Sequence, residues 1–258
     1  MSAGGSDACA RGAPVAIVDT AVDPRHPTLR GARIERRSFL ADDVASAAPD
    51  HGTAVAALLV GRASPLAPGA RLLAAEAVGR RGDATRADAA SVVRALDWAV
   101  AGRARAIGLS LAGPPNLLLE RATQVAARRA NLLAAAGNDG PRARPAYPAA
   151  YPSVTAVAAV DARKRAWRGG TRGAYVEVAA PGVDVASAAG DGGVRAWTGT
   201  SFAVPFAMAA MLRARAETGG DPEAARALLA RTAEDVGPPG RDDATGHGVV
   251  RAPGGRCY

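Results

Sequence analysis

A chain of 258 residues, 48% hydrophobic and 22% charged, carries enough apolar mass for one packed core and lies far from disordered or fibrous compositions. Its net charge of +8 comes from arginines spread along the chain, with Lys164 the sole lysine, and aromatics reach only 4%. That pattern argues against a clustered, base-stacking nucleic-acid interface, and no run approaches the roughly 20 apolar residues that cross a bilayer.

Residues 1–14 are rich in Gly, Ala and Ser and hold no apolar stretch of the signal-peptide kind. Short apolar runs over 15–19, 71–78, 104–110, 131–136 and 154–160 read as strands, several of them apolar on both faces, as in a mostly parallel buried sheet. Between them, Thr85 and Asp88 have the spacing of a capping box, and Val92, Leu96 and Ala99 then recur at helical spacing. Asn116 precedes a second helix with Leu119, Ala122 and Val125 on its apolar face, and Asp221-Pro222 opens a late one as N-cap and first-turn proline. Residues 137–148 and 188–193 read as loops inside the domain. Right-handed crossovers place helices on both sides of the sheet, which gives a three-layer α/β/α fold with a twisted central sheet. Residues 14–252 form this one domain, flanked by an N-terminal extension over 1–13 and a tail over 253–258.

Ligands of open parallel sheets bind beyond the carboxyl ends of the strands, which draws attention to Asp19-Thr20, Ala136-Gly137-Asn138 and Gly199-Thr200-Ser201. None of these is a dinucleotide fingerprint. Of three histidines, His26 lies in a proline-flanked turn and reads as packing or surface, and His247 sits between glycines facing solvent. His51 stands beside Gly52 at the start of an apolar helix, where the positive dipole end lowers an imidazole pKa and favours the neutral base. Ser201 opens another apolar helix, with its own N–H free to meet an oxyanion; by position alone it reads rather as a plain N-cap, and Asp19 could be no more than a strand-end turn residue. Cys9 and Cys257 lack zinc-site spacing and are compatible with one terminal staple or two free thiols; there is no H-E-x-x-H, and no metal or cofactor is expected.

Four blocks occur in order: residues 15–29 around Asp19-Thr20, His51-Gly-Thr53, Ala135-Ala-Gly-Asn138 and Gly199-Thr-Ser-Phe-Ala-Val-Pro205. Together they resemble the signature blocks of the subtilisin-like serine proteases, whose Asp, His, Ser chain order they share. Weaker similarity over 106–111, 146–160, 178–182 and 245–250 extends the resemblance to about residues 14–250. The resemblance implies the subtilisin-like α/β/α fold and a serine endopeptidase with Asp19, His51 and Ser201 as triad and the Asn138 amide as oxyanion donor. It places Ser110, Leu111 and Ala112, and the region near Gly82, along the two sides of a cleft for an extended polypeptide, with Gly137 and Asp139 at the primary specificity pocket. An extracytoplasmic location and a monomer acting on polypeptides, without nucleic acid or membrane insertion, go with it.

Several positions depart from the family pattern. Ala21 and Ala57 stand where glycine is usual, Ala54 where histidine is usual, and Phe202 where methionine is frequent; Ala21 would perturb the turn after Asp19 if that backbone needs positive φ. Residues 59–68 are shorter than the calcium-binding region of many relatives and lack its asparagines, so no calcium is expected there. No inhibitory prodomain precedes Ala13, which fits removal, truncation or prodomain-independent folding. The competing reading is a catalytically impaired subtilase-fold protein that binds peptides or acts as a scaffold; the complete set of triad and oxyanion residues argues against it.

Overall fold

The computed structural model describes residues 13–63 and 66–251. Cys9, Cys257 and nearly all of the two terminal extensions lie outside those residues. The chain enters through β1 (Pro14–Asp19), makes a short 3-10 turn (Pro27–Leu29) and continues through β2 (Arg33–Ser38), β3 (Ala45–Ser46) and α1 (Asp50–Val60). β4 (Arg71–Glu76), the small strands β5 (Gly79–Arg81) and β6 (Ala84–Arg86), α2 (Ala89–Ala101) and β7 (Ala106–Leu109) follow. Then come α3 (Leu117–Ala127), β8 (Asn131–Ala135), β9 (Thr155–Val160), β10 (Val176–Pro181), a hairpin of β11 (Val185–Ala188) and β12 (Val194–Trp197), α4 (Thr200–Glu217) and α5 (Pro222–Thr232).

Seven strands form one parallel sheet in the order β10-β9-β8-β7-β1-β4-β2. Strand alternation divides the core in two. Val15 and Ile17 face a cluster with Val55 and Leu59 of α1, Met208 and Leu212 of α4, and Leu229 of α5. Ala16 and Val18 face the opposite cluster, with Val92 and Leu96 of α2 and Leu119 of α3. The five apolar runs read from the sequence all become central strands. β2 and β10 go beyond that reading, β2 because an edge strand of sequence Arg-Ile-Glu-Arg-Arg-Ser shows no buried run.

Two helix details differ from expectation. Asp88 itself is the N-cap of α2, accepting the Ser91 N–H at 2.9 Å, while Thr85 belongs to β6. On α3, capped by Asn116 as expected, the buried stripe is Leu119, Thr123 and Ala126; Val125 is 61% exposed, because the helix turns it off the sheet-facing side. α5 starts as expected, with Asp221 accepting the Ala224 N–H. Among the described residues no helix is long and apolar enough to cross a membrane.

Candidate active site

β1 ends on Asp19, 1% exposed, at the carboxyl edge of the sheet. Its Oδ1 accepts the Thr20 N–H at 2.6 Å and lies 2.7 Å from Nδ1 of His51, while Oδ2 is buried without a hydrogen-bond partner among the described residues. A neutral His51 therefore carries its proton on Nδ1 and presents Nε2 as the basic nitrogen. His51 sits in the first turn of α1, and the next residue locks that turn to the strand end. The Gly52 N–H donates to Thr20 Oγ1 at 3.0 Å, and a Cβ at Gly52 would lie 2.5 Å from the Thr20 carbonyl oxygen and 2.6 Å from that of Ala21. Glycine is thus required by close backbone approach. Ala21 is not among the positive-φ residues, so the turn after Asp19 accepts alanine without strain.

Burial pulls the His51 pKa down, but the charge and hydrogen bond of Asp19 outweigh it, and the net direction is upward from 6.5. This reverses the expectation from the helix terminus. An adjacent buried carboxylate acts over a shorter distance than a helix dipole and wins.

On the other side, α4 begins after Gly199, whose φ of +154° suits glycine alone. Ser201 follows, 6% exposed. Asn138, three residues past Ala135 at the end of β8, aims its Oδ1 at the helix start, accepting from Thr200 N at 3.0 Å and Thr200 Oγ1 at 2.8 Å. With Oδ1 committed, the amide nitrogen is turned the other way, 3.5 Å from where a Gly199 Cβ would sit. The Gly137 N–H donates to Thr200 Oγ1 at 3.2 Å, completing a clamp between the β8 loop and α4. Phe202 brings this helix against the imidazole, with ring centres 5.2 Å apart. No hydrogen bond joins Ser201 to His51 among the described residues.

Ser110 extends β7 and donates its N–H to the Val18 carbonyl at 3.4 Å; its hydroxyl is buried without a partner. Ser110, Leu111 and Ala112 line a cavity of roughly 460 Å³. A neighbouring cavity of roughly 580 Å³ holds Asp19, His51, Arg80, Asp83, Arg195 and Trp197. The two share Val78, Thr85 and Ser110, so they form one cleft past His51. Gly82 is the tip of the β5–β6 hairpin flanking it. Ser201, Asn138, Gly137 and Asp139 line neither cavity; Asp139 is exposed, its N–H 3.4 Å from Thr171 Oγ1.

His26 is buried, with Nδ1 accepting from the Thr28 N–H and Nε2 donating to the Ala189 carbonyl at 2.9 Å, a packing role; His247 is exposed. Sequence reasoning assigned no role to Thr20, Gly52 or Thr200. The one available signal is that a threonine directly follows Asp19 and another directly precedes Ser201.

A parallel α/β/α sheet whose carboxyl ends bring a buried Asp–His pair beside a helix-start serine is the architecture of a serine peptidase. The model of the subtilase family matches residues 10–248, and the chain belongs to that family. It is 32% identical over 234 residues to the thermophilic serine proteinase of Bacillus sp. (strain AK1), covering 87% of this chain and 57% of that one. Against thermitase of Thermoactinomyces vulgaris it is 30% identical over 233 residues, covering 87% and 82%. The structure of the prenylagaramide maturation protease PagA superposes with a TM-score of 0.81 at 26% identity, over 95% of this chain and 93% of that one. The chain thus spans little more than half the length of the AK1 relative.

Proposed function

We propose that the chain is a serine endopeptidase acting through an acyl-enzyme, with Asp19, His51 and Ser201 as triad and Asn138 as oxyanion donor. The observation that carries this reading is the 2.7 Å bond between the buried Asp19 carboxylate and His51 Nδ1. It leaves Nε2 to take the Ser201 proton as Oγ attacks the peptide carbonyl. The carbonyl π electrons move to oxygen, and the Asn138 amide and the Ser201 N–H stabilise that charge. Asp19 holds the tautomer and stabilises the imidazolium, which then protonates the leaving amine as the C–N bond breaks. Water repeats the sequence on the ester, releasing the acid and restoring Ser201.

The substrate is a polypeptide bound in extended form along Ser110–Ala112, with backbone pairing supplying affinity. By family resemblance, Gly137 and Asp139 lie at the pocket for the residue on the acyl side of the cut, and the exposed Asp139, without an ion pair among the described residues, makes that pocket tolerant of basic side chains. Peptides varied only at this residue test the point, and a strong preference for glutamate there overturns it. Kinship with the subtilases supports action outside the cytoplasm, as a monomer. Dispersed arginines speak against a nucleic-acid partner. Hydrolysis of a quenched fluorescent peptide by the chain, lost in Ser201→Ala, is the expected result; binding of peptides without any cleavage would instead favour the scaffolding reading.

A further inference from the structure

Four side chains touch in a row from the surface to the imidazole, with the ring pairs tilted by 38° and 52°. The Arg195 guanidinium carbon lies 3.6 Å from the ring centre of Trp197, Trp197 lies 5.0 Å from Phe202, and Phe202 lies 5.2 Å from His51. The Trp197 indole is fixed from the other strand of its hairpin, donating Nε1–H to the Ala188 carbonyl at 2.9 Å. Arg195 and Trp197 line the same cavity as His51. A guanidinium seated over an indole face is held in place while N–H donors stay available to a ligand.

Two of the three carboxylates on that cavity wall have partners of their own. Asp19 is bonded to His51, and Asp83 stands 3.8 Å from Arg80. Asp50 packs on the turn at Gly190, where a Cβ would come within 2.5 Å of its Oδ1, and no ion pair joins it to Arg195 among the described residues. No hydrogen bond or ion pair engages Arg195 among the described residues. A preorganised, unpaired cation beside the reaction centre suits a carboxylate on the substrate.

We propose that Arg195 sets specificity on the leaving-group side of the scissile bond, binding the carboxylate of a glutamate or aspartate at the first or second residue after the cut. This rests on the active-site reading above. The arm of the cleft lined by Leu111, Ala112 and Tyr147 lies on one side of the shared wall at Ser110, and Trp197 and Arg195 line the other arm, with His51. A chain whose acyl half follows Ser110–Ala112 sends its leaving half past His51 and across the Trp197–Arg195 stack.

The experiment compares kcat/KM for peptides identical except for Glu, Gln or Lys at one of those two residues. Glutamate is expected to exceed glutamine by about two- to fivefold at low salt, the size of an ion pair near a surface, and by less in high salt. Arg195→Gln brings the ratio to about one, and Arg195→Glu turns the preference to lysine; using a ratio cancels any loss common to both peptides. A native ratio near one, or a ratio unchanged in Arg195→Gln, overturns the proposal. If Ser201 still reacts with a fluorophosphonate beside a flat ratio, the subsite alone falls; no reaction and no cleavage overturn the active-site reading and the subsite together.

Discussion

The two halves of the site are held by different means. The base half is closed: Asp19 and His51 are hydrogen-bonded, and Gly52 and Thr20 lock α1 to the end of β1 with no room for a methyl group. The nucleophile half is more open: Thr200 orients the Asn138 amide, but among the described residues no hydrogen bond joins Ser201 to His51. Such contacts often tighten only when substrate fills the cleft, so a preset base and a nucleophile that engages late are compatible with one reaction. The consequence is that substitutions in the base half should damage geometry and tautomer before substrate binds, whereas those in the oxyanion clamp should act on the transition state.

The largest effects fall on Ser201 and His51. Ser201→Ala and His51→Ala are each expected to lower kcat by about a million-fold, the size measured in subtilisin itself, and the double variant no further, because the two act as a unit. Steady-state rates on one quenched peptide measure both. Asp19→Asn should cost about ten-thousand-fold by releasing the wrong imidazole tautomer, again the scale known from such triads.

Asn138→Ala should lower kcat by about a hundred- to a thousand-fold with KM little changed, since the amide meets charge that exists only in the transition state; the subtilisin oxyanion asparagine sets that scale. A loss confined to KM would break the contrast drawn between the halves. Gly52→Ala should destabilise the fold by about 1–3 kcal/mol through overpacking against Thr20 and Ala21, read as a lower denaturant midpoint, with slower turnover from a displaced His51. An unchanged midpoint would show that the strand-to-helix lock is slack.

The smallest effect is a shift in a profile. Because Asp19 raises the His51 pKa, the imidazole stays protonated to a higher pH and the base form appears only above it. The rate kcat/KM should therefore fall on the acid side through a pKa above 6.5, and Asp19→Asn should move that limb downward. A limb below 6.5 in the native chain would mean that burial dominates.

Much of this was legible in the sequence where physics is local and repeated. Strands buried on both faces show as apolar runs, which is why β1, β4, β7, β8 and β9 could be read directly. The edge strand β2 could not, since only Ile34 of its residues packs against the core and the rest meet water. The hairpin carrying Arg195 and Trp197 was hidden for a similar reason, with Gly-rich and charged residues that read as loop. Asp19, His51, Asn138 and Ser201 stood out through ordered blocks, yet the threonines that tie them did not. Thr20 acts through one hydrogen bond to the Gly52 N–H across 32 residues of chain, and Thr200 through three to Gly137 and Asn138 across 62 and 63, and no spacing rule reports such contacts. The direction of the His51 pKa was missed because a helix start is visible in sequence while a buried carboxylate 2.7 Å away is not.

The most direct test of the account is labelling of the purified chain with a fluorophosphonate, followed by mapping of the modified residue beside Ser201→Ala and His51→Ala. Covalent modification at Ser201, abolished in both variants, is the predicted result. A folded chain that takes no label, or labels equally without His51, would contradict the proposal that Asp19, His51 and Ser201 form one working triad.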